Sequence, residues 1–249
     1  MKIGVFDSGV GGLSVLDALL KASLFDELIY YGDTARVPYG NKDKETIVKF
    51  SLEAVEWFKK QKVDMLIVAC NTVSATAIRQ MRGAADFEIY GVIEAGILQA
   101  QKVVTNKDDK LLVIATQATI NAKAYENGLA KAGFTRVNSL ATGLFVPMVE
   151  EGIVQGEVVD AVFRHYFGGL KTTPKALILG CTHFPFLSEA LREFFDHKVA
   201  LIHSGEAMVE FLNSQCKFAR KNVKSKVKFY ASSDTARLEE FAKKWVLKG

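Results

Sequence analysis

The segment "MLIVACNTVSAT" (65–76) decides the fold. Met65 to Ala69 form an unbroken apolar run with no polar alternation, the mark of a strand buried on both faces. Cys70, Asn71 and Thr72 then lead into a stretch of helical composition. The segment "ALILGCTHFPF" (176–186) repeats the design, with Cys181 in the place of Cys70. Working outward, further strand-like runs fall at 2–6, 27–32, 89–93, 111–116, 137–141, 199–203 and 227–232. Between most of them lie stretches of helical length and period, such as "KETIVKFSLEAVEWFKKQ" (44–61) and "TARLEEFAKKWVL" (235–247). Continuous apolar strands alternating with helices predict an α/β protein with mainly parallel sheets.

A second pair of landmarks supports an internal repeat. "GVFDSGVGG" (4–12) and "LVIATQATI" (112–120) both run from a strand into a polar, small-residue loop. Thr116 follows Asp7 by nearly the same interval as Cys181 follows Cys70. We therefore expect two similar α/β lobes related by a pseudo-twofold axis, with a cleft between them. The chain changes lobe near "GVIEAG" (91–96) and returns near "HSGEAM" (203–208). The first lobe is expected to comprise residues 1–92 plus 207–249, carrying Asp7 and Cys70. The second comprises 93–206, with Thr116, Glu150, Cys181 and His183.

The composition narrows the class of partner. Apolar residues make up 49% and charged residues 24% of the 249, enough to build a sizeable core. The net charge of +4 is spread along the chain, apart from "KNVKSKVK" (221–228). That patch reads as a solvated loop leading into a strand; no aromatic platform accompanies it, so nucleic acid is not an expected partner. No apolar stretch approaches the ~20 residues that span a bilayer. Asp7 interrupts the first apolar run too early for a signal peptide. Three cysteines without an export signal point to a reducing cytoplasm and to thiols rather than disulfides.

In open parallel sheets ligands bind at the carboxyl ends of the strands, so polar residues there carry most information. They are Asp7-Ser8, Asp33-Thr34, Cys70-Asn71-Thr72, Thr116 with Thr119, and Cys181-Thr182-His183. A lone free cysteine is most often packing. Two at matched positions with polar neighbours favour chemistry, whereas Cys216 in "LNSQCKF" reads as structural. No C-x-x-C is present for redox work. Cys70, Cys181, His183 and Asp7 could form a mixed metal set, although the usual paired spacing is missing. Acid–base work on opposite faces of a substrate is the third reading. A thiol ordinarily titrates near ~8.5, and a helix start after each cysteine would favour the thiolate. Asp7 could accept a hydrogen bond from a proton moving off Cys70, and His183 could tune Cys181. Helix capping is the simpler role for both residues. The glycines of "DSGVGG" (7–12) could cradle an anion, a nucleotide phosphate included, but no complete phosphate-loop or dinucleotide motif is present.

Seven blocks together resemble a known family: "FDSGVGGLSV" (6–15), "YGDTARVPYGNK" (31–42), "VACNTVSAT" (68–76), "GVIEAG" (91–96), "VIATQATI" (113–120), "LFVPMVEEG" (144–152) and "ILGCTHFPFL" (178–187). In this order they resemble the glutamate racemases of the cofactor-independent aspartate/glutamate racemase family. The resemblance implies interconversion of L- and D-glutamate without pyridoxal phosphate or metal, feeding bacterial peptidoglycan synthesis. It implies Cys70 and Cys181 as the catalytic pair, with Asp7 assisting the first and His183 with Glu150 assisting the second. Substrate contacts would come from Asp7, Ser8, Tyr39, Gly40, Asn71, Thr72, Thr116, Thr119, Thr182 and His183. Cys70 would act on D-glutamate and Cys181 on L-glutamate. Aspartate racemase is the alternative, and the resemblance is compatible with a homodimer. Two departures stand out. Ala95 replaces the usual proline of "GVIEAG", and "NAKA" (121–124) lacks the serine or asparagine common before the tyrosine.

Overall fold

A computed structural model of the chain describes residues 1–216 and 224–246; the side chain of Cys216 and residues 221–223 of the lysine-rich patch lie outside the described ones. In chain order the elements are β1 (Lys2–Asp7), α1 (Leu13–Ala22), β2 (Glu27–Gly32), α2 (Lys44–Gln61), β3 (Met65–Val68), α3 (Asn71–Thr76), α4 (Ile78–Ala84), β4 (Glu88–Gly91) and α5 (Val92–Val103). They continue with β5 (Leu111–Ala115), α6 (Gln117–Asn121), α7 (Ala124–Lys131), β6 (Val137–Ala141), α8 (Phe145–Glu150), α9 (Glu157–Phe167) and β7 (Ala176–Gly180). The last are α10 (Ser188–Phe194), β8 (Ala200–His203), α11 (Ser204–Cys216), β9 (Lys226–Ala231) and α12 (Thr235–Trp245).

The strands form two parallel sheets, ordered β4-β3-β1-β2-β9 and β6-β5-β7-β8. Read from its other edge, the second sheet runs β8-β7-β5-β6 and matches β4-β3-β1-β2 strand for strand in chain order. The sequence repeat is thus a repeat of sheet topology, with β9 added outside β2. Asp7 and Thr116 end or follow the equivalent strands β1 and β5. Cys70 and Cys181 follow β3 and β7.

Side chains along each strand alternate between two helical layers, as the two-residue period of a strand requires. Ile3, Val5, Met65 and Ile67 face Leu13, Leu16, Leu19, Met208, Leu212 and Leu238 from α1, α11 and α12. Phe6, Leu66 and Val68 face Ile47, Val55 and Phe58 of α2 and Val73 of α3. In the second sheet Leu112, Ile114, Leu177 and Leu179 pack on Phe145, Phe163, Phe167 and Leu191. Leu111, Val113 and Ile178 pack on Ile93, Ala100, Tyr125 and Leu129. The helices after β4 and β8 cross between the sheets: α5 packs on β7 and β8, while α11 packs on α1 and α5. Helix α2 shows why its sequence starts and stops where it does. Asp43 caps it by accepting from the Thr46 amide at 2.8 Å, and Lys62 ends it in the left-handed conformation, φ 54°.

The strand expectations hold with one informative exception. Val92 and Ile93, read as the end of the fourth strand, open α5 instead. Gly91 turns the chain there, and the Ser74 hydroxyl accepts from the Val92 amide at 3.3 Å.

Candidate active site

Both sheets point their carboxyl ends at one cavity of about 650 Å³, within the ordinary range for small-ligand sites. Its lining includes Ser8, Tyr39, Gly40, Cys70, Asn71 and Thr72 from the first sheet's loops. From the second come Thr116, Glu150, Cys181, Thr182 and His183. Among the described residues its charged lining is limited to Glu150 and His183; the remaining polar groups are neutral donors and acceptors. Two glycines let the halves approach. A Cβ on Gly11 would stand 2.4 Å from Thr182 Oγ1 and 2.5 Å from His183 Nδ1, and one on Gly40 would stand 2.7 Å from Thr116 Cβ.

Each thiol sits in its own setting. Cys70 ends the strand β3 segment and precedes α3; its Sγ lies 3.6 Å from Ser8 Oγ. Burial, reinforced by the charge of Asp7, pushes this thiol up to about 12. The expectation that the start of α3 favours a thiolate is therefore corrected. One amide hydrogen bond, from Val73, works in that direction and is outweighed by desolvation.

Cys181 departs from expectation differently, because no α-helix begins after it. Thr182 and His183 lead into a single 3-10 turn, Phe184–Leu187, before α10. What it has instead is an imidazole: His183 Nδ1 lies 3.8 Å from Cys181 Sγ, and Nε2 lies 3.1 Å from Glu150 Oε1. Burial opposes a charged His183, but the hydrogen bonds to Cys181 and Glu150 outweigh it and raise its pKa to about 10. The same contact draws the Glu150 carboxyl below its usual range. Glu150 rather than Glu151 is thus the glutamate that reaches the cavity; Glu151 is exposed.

Asp7 is fully buried and lies beneath the cavity, outside its lining. Its carboxylate accepts from the Gly9 amide at 2.9 Å and from Thr182 Oγ1 at 3.3 Å, with the Gly12 amide also bonding to it. Burial nevertheless raises its pKa. The Gly9 and Gly12 amides of "DSGVGG" are therefore engaged by the chain's own carboxylate, which argues against a phosphate cradle built on them. Thr119 is likewise one layer back, bonded to Thr72 at 3.2 Å and Thr116 at 2.9 Å; Thr72 and Thr116 themselves meet at 2.9 Å across the two halves. Asp33 is turned away from the cavity and takes bonds from Tyr39 Oη and from Arg36 Nε, the latter at 2.6 Å. Arg36 also pairs with Glu53 and lies 4.0 Å over the Phe50 ring. Among the described residues no three of His, Cys, Asp and Glu are grouped to hold one metal ion, so the mixed metal set does not assemble.

The cavity also takes in Gln117, Asn41, Val146, Pro147 and Tyr166, which sequence reasoning did not single out. Gln117 and Asn41 lie inside quoted motifs and could have been found there. Tyr166 comes from the last turn of α9, where nothing in the local sequence marks it.

Two topologically equivalent sheets thus bring one thiol each to a shared cavity. The chain belongs to the Asp/Glu/Hydantoin racemase family, whose model matches residues 3–212. It is 56% identical over 246 residues to the glutamate racemase of Campylobacter jejuni, covering 99% of this chain and 98% of that protein. The crystal structure of glutamate racemase from Campylobacter jejuni superposes with a TM-score of 0.98 at 55% identity, covering 100% and 99% of the two chains. Glutamate racemase from Francisella tularensis, solved in complex with D-glutamate, superposes with a TM-score of 0.87 at 34% identity, covering 99% and 94%.

Proposed function

We propose that this protein interconverts L- and D-glutamate by proton transfer at Cα between Cys70 and Cys181, without a cofactor. The observation that carries the reading is the pair of thiols at equivalent strand ends on one cavity. Each has its own acid–base neighbour, Asp7 for Cys70 and the His183–Glu150 pair for Cys181. The relatives named glutamate racemase, and the D-glutamate bound to one of them, supply the substrate.

On the D-glutamate face, Asp7 takes the Cys70 proton and the thiolate removes the Cα proton. On the opposite face the Cys181 thiol donates its proton to Cα, and His183, held by Glu150, restores it. The Cα–H bond broken on one face is thus replaced by one formed on the other, which inverts the centre. L-glutamate reacts in the reverse sense, with Cys181 as the base. Ser8, Tyr39, Gly40, Asn71, Thr72, Thr116 and Thr182 hold the two carboxylates and the ammonium through neutral groups. Asp7 and Thr119 support that shell from behind, and His183 serves in both capacities. We assign residues 1–92 with 207–249 to the lobe of Cys70 and 93–206 to the lobe of Cys181. The product, D-glutamate, suits peptidoglycan synthesis in a bacterial cytoplasm. No described helix is long and apolar enough to cross a membrane.

The test is proton NMR of the protein with L-glutamate in D₂O, with chelator present, following the α-proton and the chirality of the product. Loss of the signal with appearance of D-glutamate is the expected result. Turnover of aspartate instead of glutamate would transfer the reading to the shorter acid. The Cys70→Ser and Cys181→Ser variants are each expected to abolish inversion, because a hydroxyl is far too weak an acid–base group at neutral pH. Full racemisation by either would overturn the two-thiol account.

A further inference from the structure

Behind the cavity a chain of buried hydrogen bonds joins the strand that ends in one thiol to the residue beside the other. The Leu179 carbonyl accepts from Ser204 Oγ at 3.3 Å. Ser204 Oγ accepts from Asn71 Nδ2 at 3.2 Å, and Asn71 Oδ1 accepts from Tyr125 Oη at 2.8 Å. The direction of every bond follows from the first. A carbonyl can only accept, so Ser204 spends its proton there and presents a lone pair to Asn71. That lone pair requires the amide nitrogen of Asn71, which turns the amide oxygen toward Tyr125 and makes the phenol the donor. Leu179 lies two residues before Cys181, and Asn71 directly follows Cys70. Asn71, Tyr125 and Ser204 are all nearly inaccessible to solvent, so water does not compete for these bonds.

The phenol ring is held in place as well. A Cβ at Gly96 of α5 would stand 3.1 Å from Tyr125 Cε1, and one at Gly180, next to Cys181, would stand 3.2 Å from Cε2. Tyr125 therefore sits between α5 and the end of β7, with its hydroxyl carried across to the other half.

We infer that Tyr125 and Ser204 are positioning residues: with the Leu179 carbonyl they lock the Asn71 amide in one orientation and set the spacing between the two thiol-bearing strand ends. One N–H of Asn71 is left over in a fixed place on the cavity side of the chain, as a donor to a bound carboxylate. Without the serine the phenol can donate or accept, and the amide is free to turn its oxygen toward the carboxylate; without the phenol the amide oxygen loses its donor and the amide is held on one side only. The kinetic part of this inference rests on the glutamate reading above; the structural part does not.

The experiment uses Tyr125→Phe, Ser204→Ala and the double variant in the full chain. With glutamate, each single substitution is expected to raise KM about tenfold in both directions, the loss of roughly one hydrogen bond, while kcat moves less than twofold. The double variant is expected to be no worse than either single one, because both act on the same amide. Unchanged KM in both single variants, or losses that multiply in the double, would overturn the inference. A second readout needs no substrate: the side-chain amide signals of Asn71 in ¹⁵N-labelled protein, assigned by their loss in Asn71→Ala. They are expected to shift and to exchange faster in both single variants, and identical signals would overturn the inference. If the wild-type protein leaves glutamate untouched, the functional reading falls while the amide signals still decide this one.

Discussion

Replacing Glu150 by glutamine isolates the electrostatic part of the Cys181 site. Glu150 Oε1 accepts from His183 Nε2 at 3.1 Å, and the glutamine is nearly the same size, so geometry is kept while the charge is removed. A hydrogen bond to a charged group contributes about 1.5–3 kcal/mol. The Glu150 side chain is 38% exposed, so water screens the pair and the lower figure applies. About 1.5 kcal/mol corresponds to about one pKa unit. The His183 pKa of about 10 is therefore expected to fall to about 9 in E150Q. The sign for stability follows from the direction of the shift. The folded value lies above the ordinary 6.5, so the charged imidazolium stabilises the fold fully below that pH, and the contribution is lost as pH rises through about 10. In E150Q the loss begins at the same unfolded value of about 6.5 but is complete about one pH unit earlier, so the whole contribution is smaller. The assay is an NMR titration of the His183 ring carbon–proton signal from neutral to alkaline pH, with urea unfolding alongside. An unchanged or higher midpoint in E150Q would refute the reasoning.

Asp7→Asn removes a charge that raises the Cys70 pKa, so ultraviolet titration of the thiolate is expected to show Cys70 ionising below about 12. A higher midpoint would contradict the assignment of Asp7 as a contributor to that shift. Gly11→Ala places a methyl 2.4 Å from Thr182 Oγ1, an overlap that costs about 1–3 kcal/mol in denaturant unfolding. Because it displaces the 181–183 loop, racemisation is expected to fall by more than tenfold, a cost in unfolding and kinetic assays that a silent variant would exclude. Phe163→Ala opens the aromatic cluster of Phe145, Phe167 and Phe194 and is expected to lower stability by about 3–5 kcal/mol. At low temperature the folded fraction of that variant should keep its kcat, since Phe163 does not line the cavity.

Much of this architecture is legible in the sequence because buried parallel strands are written as plain apolar runs. Met65–Val68 and Ala176–Gly180 need no partner to be recognised, and a cysteine after each marks the cavity end. Equivalence of the halves is legible too, as two landmark pairs at nearly equal spacing. What sequence does not carry is depth. Asp7 and Thr119 are adjacent to lining residues yet lie a layer behind them, because strand twist and loop packing decide which side chain faces inward. It also does not carry the environment of a thiol: a residue before a helix reads as an ionised cysteine until burial is known, and burial wins at Cys70. The Tyr125–Asn71–Ser204 chain joins residues far apart in sequence; Tyr125 follows "NAKA" and Ser204 lies in "HSGEAM", yet neither segment says that the two side chains meet at Asn71.

The outermost strand of the first sheet has a consequence for the order of events on the ribosome. β2 is complete at Gly32, but its outer edge is paired by Lys226–Ala231, which is made long after it. The α1 face waits as well, since Met208 and Leu212 of α11 complete its core. The second sheet is drawn from one uninterrupted stretch, 111–203, and its four strands are all present once β8 has been synthesised. Vectorial synthesis therefore lets the half encoded later close first, while an apolar, unpaired strand edge of the earlier half stays open to chaperones until β9 has been made.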